Sequence, residues 1–418
     1  MNKVTKTLAA LAVLALAAVL AAGAQAADEE KPKLRHPSYT LLGHDAPPAE
    51  DSPLNPNFVI SQENRVLEGS LWYGNFIDDR LVGLDVGDVD GDGQNEMVFA
   101  TPGQIFLSRR NGELLEQLAV YPVAPSLTVL SVDLYDTDGD GKMEIIVSAQ
   151  MNNSGGSSLI LSYNGGKSID LLADYLPWYL RVVGPSGGRM LVAQKGGTTG
   201  NTAYTGNVMF ASFAGGKLTV AQKVDLPFGV NLYNFNLGKM GRGSQNLIAT
   251  VTFPEEHLRL YSGPTRNDLV TESAADYCGT VNHIKINSSN EAGREVEYLP
   301  SRIIIADIDG DGGNEVILAK NNQGGIPFMK NLRSFNRGLI EAMKVSNLTL
   351  TPFFTSMDMI PGPAVDYQLA DFDNNGTKDL VVAVVINPGS GMMQSGRSRI
   401  IAYSNLYSTG ATPGAGGR

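Results

Sequence analysis

The chain has 418 residues, a hydrophobic fraction of 43% and 47 glycines, which excludes whole-chain disorder and points to many tight turns. Its formal net charge of −11 disfavours nucleic acid and anionic membrane surfaces as partners. The single cysteine, Cys278, excludes an internal disulfide and reads as a small buried residue; an exported chain without disulfides needs another staple, and metal ions are the obvious one.

Residues 1–26 read as a secretory signal. Lys3 and Lys6 supply the positive end, an apolar run from Leu8 to Leu20 follows, and Ala24-Gln25-Ala26 fits a small-x-small cleavage site. The apolar run is short for a bilayer span, no other stretch is long and apolar enough to cross, and no cysteine follows the cleavage site to carry a lipid. The expected product is exported, to the periplasm or cell surface, and is not an integral membrane protein. Residues 27–57, with Pro32, Pro37, Pro47, Pro48, Pro53 and Pro56, read as an extended linker or arm.

From residue 58 to 406 the chain repeats. Four segments share one pattern: Asp88-Val-Asp90-Gly-Asp92-Gly-Gln94-Asn-Glu96, Asp136-Thr-Asp138-Gly-Asp140-Gly-Lys142-Met-Glu144, Asp307-Ile-Asp309-Gly-Asp311-Gly-Gly313-Asn-Glu315 and Asp371-Phe-Asp373-Asn-Asn375-Gly-Thr377-Lys-Asp379. Each runs into an apolar strand, Met97 to Phe99, Ile145 to Val147, Val316 to Leu318 and Leu380 to Val382. Two degenerate copies lie between them, Arg181 to Arg189 and Asn234 to Gln245, the second with Leu237, Lys239 and Gly241 at the acidic positions. Loop starts fall near 88, 136, 184, 237, 307 and 371; the shortest spacing, 48 residues, suits one four-stranded propeller blade. The longer gaps imply insertions within 273–300 and 322–363.

The first unit predicts strands at Leu81 to Val86, Glu96 to Ala100, Ile105 to Ser108 and Leu114 to Val120, with an Asn-Gly hairpin turn at Arg110-Asn-Gly112. The fold class is therefore all-β: a propeller of four-stranded blades, six repeats visible and a seventh open, with Leu67 to Phe76 either closing the last blade or contributing to a seventh. Residues 407–418 form a Gly/Ala/Thr/Pro tail predicted to be disordered.

Carboxylates two residues apart in a tight turn converge on one point, and calcium takes about 6–8 hard oxygens. Positions 1, 3 and 5 offer side chains: Asp88, Asp90, Asp92; Asp136, Asp138, Asp140; Asp307, Asp309, Asp311; Asp371, Asp373, Asn375. Position 7 offers a backbone carbonyl, so Gln94, Lys142, Gly313 and Thr377 can differ, and position 9 adds Glu96, Glu144, Glu315 and Asp379. About four Ca²⁺ sites are expected, the Asp371 site weakest because Asn375 lowers its charge. An EF-hand is excluded: its twelfth position falls on Phe99, Val147, Leu318 and Val382, all apolar.

This loop with its following strand resembles the FG-GAP/VCBS repeat family, including the integrin α-subunit propeller. The resemblance implies a propeller, calcium between strands one and two, and ligand binding by loops on the opposite face. Those loops are Met151 to Ser157, Lys195 to Gly206, Asn321 to Gly325 and Asn387 to Ser398, and their amides, hydroxyls and glycines suit a protein or glycan partner. No catalytic constellation stands out: His36 and His44 lie in the arm, and His257 and His283 have no acid–base partner at a telling spacing. Gly165-Gly-Lys-Ser168 lacks the first glycine of a phosphate loop. The expectation is a binding, adhesion or scaffolding module. Two alternatives stand beside it: a propeller enzyme resembling carbohydrate-degrading lyases, and a structural part of a surface assembly.

Overall fold

The computed structural model describes residues 65–66 and 70–404, apart from 153–154, 186–187, 198–202, 244, 253, 287–295, 324–332, 348, 357–359, 361 and 388–395. The predicted signal, the arm and the tail lie outside the described residues, and so do parts of the four opposite-face loops.

Six four-stranded antiparallel blades form a propeller ring. Blade one is Gly83–Gly87, Glu96–Thr101, Gln104–Asn111 and Leu114–Pro122. Blade two is Leu127–Tyr135, Glu144–Met151, Ser158–Tyr163 and Ile169–Leu176. The degenerate copies are complete blades: Tyr179–Val183, Met190–Gly196, Tyr204–Ala214 and Lys217–Lys223 form blade three, and Phe235–Lys239, Asn246–Val251, His257–Tyr261 and Leu269–Asp276 form blade four. Blade five is Ile304–Ala306, Glu315–Gln323, Phe335–Ser346 and Thr349–Thr355, with Arg65–Val66 added in parallel at its edge.

Blade six has only three strands of its own, Ala364–Ala370, Asp379–Asn387 and Arg397–Ser404. Its outer strand is Ser70–Ile77 from the other end of the chain, paired Leu71 with Tyr403 and Trp72 with Ala402. The N-terminal strand therefore closes the sixth blade and no seventh forms among the described residues. Trp72 secures the closure: its ring lies 5.1 Å from that of Phe372, and its Nε1 donates to the Glu113 carbonyl of blade one at 3.1 Å.

The middle strands are apolar on both faces because each blade is sandwiched between two others, so Glu96–Thr101 and Asp379–Val385 are buried without alternation. Outer strands alternate with solvent, as in Lys217–Lys223. Inner strands carry polar residues that join blade to blade. Asp85 accepts the Leu134 N–H of blade two at 2.9 Å, Asp133 accepts the Val182 N–H of blade three at 3.1 Å, and Asp366 accepts the Leu84 N–H of blade one at 3.0 Å. Arg302 of blade five reaches into this ring, bonding Asp366 through Nε at 2.5 Å and standing 3.3 Å from Asp133 and 3.8 Å from Asp85. Burial works against the charge of Asp85, but Arg189 and Arg302 overcome it and hold the carboxyl at about 2.

The insertion expected within 273–300 is the connection from blade four to blade five, and it carries a hairpin of His283–Lys285 and Val296–Tyr298. It crosses the face opposite the acidic loops. Asn282 donates to the Val82 carbonyl of blade one, Lys285 and Gln150 of blade two exchange two hydrogen bonds, and Asn321 of blade five donates to the Gly279 carbonyl. Ile284, Ile286 and Leu299 of the insertion pack against Tyr179, Val192 and Val208 of blade three and Leu232 and Phe235 beside blade four. Cys278 lies buried at the root of this insertion, and burial pushes its thiol up to about 12.

A candidate metal face of four acidic loops

The acidic loops all join the first and second strands of their blades, so they lie on one face, on the contiguous blades five, six, one and two. Each folds by the same local hydrogen bonds. The position 1 carboxylate accepts two backbone N–H groups, as Asp88 does from Gly91 at 2.7 Å and Gly93 at 2.9 Å. Asp136 and Asp307 repeat this pair, and Asp371 accepts from Asn375 and Gly376. The position 5 side chain accepts the position 7 N–H at 2.8 Å in every copy, from Gln94, Lys142, Gly313 and Thr377. Gly93, Gly141, Gly312 and Gly376 at position 6 have φ from 84° to 91°, a left-handed conformation in which glycine avoids a Cβ clash.

Position 9 starts the second strand, which carries its carboxylate back under the turn. Glu96, Glu144, Glu315 and Asp379 each accept the position 2 N–H, at 3.1, 2.8, 2.9 and 3.1 Å. Side-chain oxygens of Asp88, Asp90 and Glu96 lie within 4.8 Å of one another, and so do those of Asp136, Asp138 and Glu144, of Asp307, Asp309 and Asp311, and of Asp371, Asp373 and Asp379. Positions 1 and 3 join every group; the third member is position 9 in three loops and position 5 in the loop of blade five. Burial raises the carboxyls of Glu96, Glu144 and Asp379. It pushes Glu315 up to about 7, with Asp309 and Asp311 adding repulsion. Asp379 is fully buried, and its Oδ1 makes no close hydrogen bond, Ser404 beside it only partly offsetting the burial. A buried carboxylate oxygen left without a close hydrogen bond beside two further carboxylates is a site chemically suited to a cation. All-oxygen donor sets of this kind suit a hard metal ion.

Three features of this face lie outside the motif. Position 8 ties loop to loop: Asn95 Nδ2 donates to the Asp371 carbonyl at 2.8 Å, the Met143 N–H to the Asp88 carbonyl at 3.0 Å, and Asn314 Nδ2 to the Lys239 carbonyl at 2.9 Å. In the first two cases position 8 reaches position 1 of the preceding blade, and in the third it reaches Lys239 of the degenerate loop. The third strand supplies basic partners, Arg109 to Glu96 and Asp92, and Lys344 to Asp309 and Asp311. The centre of the face opens into a cavity of about 420 Å³ lined by Arg181, Arg189, Arg302, Asn236 and Gln368. None of the three was visible from loop spacing, although Asn at position 8 in two copies was a signal.

The histidines differ from expectation in one respect. His257 meets acids after all, Nδ1 to Glu272 at 2.9 Å and Nε2 to Asp276 at 3.3 Å, because the neighbouring strand of blade four brings them alongside. His283 is half-buried with its ring near Tyr298, and burial lowers its pKa.

A family described as FG-GAP-like repeat matches residues 88–147. No curated protein matches the chain. Among solved structures, a glucose dehydrogenase aligns over 80% of this chain and 99% of its own at 9% identity, with a TM-score of 0.45. A second glucose dehydrogenase aligns over 80% and 98% at 8% identity and a TM-score of 0.43. The soluble aldose sugar dehydrogenase of Escherichia coli, in its apo form, aligns over 80% and 99% at 10% identity and a TM-score of 0.42.

Proposed function

We propose that this FG-GAP repeat β-propeller is an exported, calcium-stabilised binding module that takes a protein or glycan on the face opposite its metal loops. The observation that carries the calcium reading is the recurrence of one carboxylate cluster in the same loop of four blades, each within 4.8 Å. Calcium fits better than magnesium because the loops offer many oxygens without octahedral preorganisation. The ligands in this reading are positions 1, 3, 5 and 9 through side chains and position 7, Gln94, Lys142, Gly313 or Thr377, through its carbonyl.

Topology supports this choice of face. The insertion between blades four and five crosses that side of the axis and ties blades one, two and five together. A covered axis makes a broad platform, and a rigid platform edged by loops recognises a partner by surface complementarity. The test is a glycan array beside capture from cell envelope, with calcium present. Shortening 195–206 and 387–398 should abolish capture. Capture that survives both deletions places the ligand elsewhere. Cleavage of a polysaccharide by the purified protein replaces the binding reading with an enzymatic one.

A further inference from the structure

The four loops share one motif, but the strand beside each of them does not share one residue. Strand register places a particular third-strand residue next to the position 9 carboxylate. Met97 pairs with Ser108, Ile145 with Leu161, Val316 with Met343 and Leu380 with Tyr403. The next residues along the third strand are therefore Arg109, Ser162, Lys344 and Ser404, beside Glu96, Glu144, Glu315 and Asp379.

In blade one the Arg109 guanidinium enters the acidic cluster. Its Nε donates to Glu96 at 2.7 Å, and its Nη2 lies 2.9 Å from Asp92 and 3.7 Å from Asp90. In blade five the Lys344 ammonium stands 2.6 Å from Asp309 and 3.1 Å from Asp311, and Arg242 of the neighbouring blade adds a contact to Asp311 at 3.1 Å. In blade two, no basic side chain pairs with Asp136, Asp138, Asp140 or Glu144 among the described residues. In blade six, Arg110 reaches only Asp373, at 3.1 Å, with its guanidinium 5.6 Å from the Trp72 and Phe372 rings, and Asp379 Oδ1 stays buried without a close hydrogen bond.

We propose that Arg109 and Lys344 are tethered counter-cations that divide the loops into two classes. The inference rests on the calcium reading above and goes beyond it. In blades one and five a side-chain charge competes with the ion for the same oxygens, so these loops hold their shape without calcium and bind it weakly. In blades two and six a serine stands in that position, so these loops require the ion and bind it tightly. Charge counting alone puts the Asp371 loop last; the tethered cations move it ahead of the loops at Asp88 and Asp307.

The experiment is calcium titration by calorimetry, with ions counted by native mass spectrometry and melting followed in chelator. Wild type should fill in two phases, two tight sites and then two weak ones. Arg109→Ser should tighten one weak site by about tenfold, the effect of removing one positive charge from contact with the ligands. It should also lower the melting temperature in chelator, because loop one then loses the cation paired with Asp92 and Glu96. Lys344→Ser should act in the same direction in blade five but by less, because Arg242 stays on Asp311, and Arg109→Gln preserves bulk should the serine variant fold poorly. Ser162→Lys is the converse: one tight site weakens about tenfold and melting in chelator rises. Four equivalent sites in wild type, or unchanged titration in Arg109→Ser, Arg109→Gln and Ser162→Lys, overturns the two-class proposal and leaves the calcium reading standing. No calcium bound by any variant overturns both.

Discussion

Blades one, two, five and six carry carboxylate clusters in the loops between their first two strands; blades three and four have the same strands and no such clusters among the described residues. The two groups are contiguous around the ring, so the molecule has an acidic half and a degenerate half. The degenerate half is sealed differently. On the opposite face the blade four to five insertion presses Ile284, Ile286 and Leu299 onto blades three and four, and on the loop face Gly241 donates to the Asn314 carbonyl at 2.7 Å. A blade that loses its cation ligands keeps its place when apolar burial or a backbone latch joins it to the next blade. On the calcium reading proposed above, ion dependence falls on one half of the ring only.

The largest expected effect lies on the axis of the ring, between the inner strands of the acidic half. Arg302 leaves blade five and contacts Asp366, Asp133 and Asp85 of blades six, two and one while buried. Arg302→Ala removes the cation paired with buried Asp366 and leaves Asp85 to Arg189 and Asp133 to Arg181, and removal of one partner from a buried ion network costs about 3–5 kcal/mol. Urea unfolding should show this loss equally in calcium and in chelator. A loss confined to one condition would tie the axis to only one half.

The next effect isolates the degenerate half. Ile284 is 1% exposed. Ile284→Ala should cost about 3 kcal/mol through lost burial and the cavity left behind, and the cost should not change on chelation. If calcium masks it, the insertion is coupled to the acidic loops and the two halves are not independent.

A smaller effect isolates the acidic half. Asp138 belongs to the cluster that no basic side chain pairs with among the described residues. Ion binding at one hundred times its dissociation constant adds about 2.7 kcal/mol. Asp138→Asn should forfeit most of that in calcium and almost nothing in chelator. The two stability curves, measured side by side, check it.

The acidic half was the more legible half in the sequence. Four copies of one spacing, each followed by an apolar run, are enough to set the blade from the repeat length and the turn with its convergence of positions 1 and 3 from neighbours within nine residues. Closure by Ser70–Ile77 was open between two readings, since the outer strand of blade six comes from far away in the chain and nothing local distinguishes it from the start of a seventh blade. Arg109, Lys344 and Arg302 could not be placed. Each acts across a strand pairing or a blade boundary, and charge in a strand does not announce which loop it reaches. The degenerate copies showed that ligands were lost but not what replaced them: the Gly241–Asn314 bridge and the packed insertion are long-range contacts.

The finest distinction between the halves is at a single glycine in each. Gly241 in the degenerate loop has φ +65°, and a Cβ there would stand 2.1 Å from the Val345 carbonyl oxygen. Gly93 in the acidic loop has φ +84° and nothing within 4 Å of the same position. Alanine at either site must adopt a left-handed backbone, which costs about 1 kcal/mol. At Gly241 it must also push a backbone carbonyl away and so break the bond to Asn314, which adds about another 1 kcal/mol or more. Gly241→Ala should therefore destabilise about twice as much as Gly93→Ala in urea unfolding under chelator, where no ion compensates. Equal losses would mean that the close approach of blades four and five contributes nothing beyond backbone strain, and that the degenerate half is held by its insertion alone.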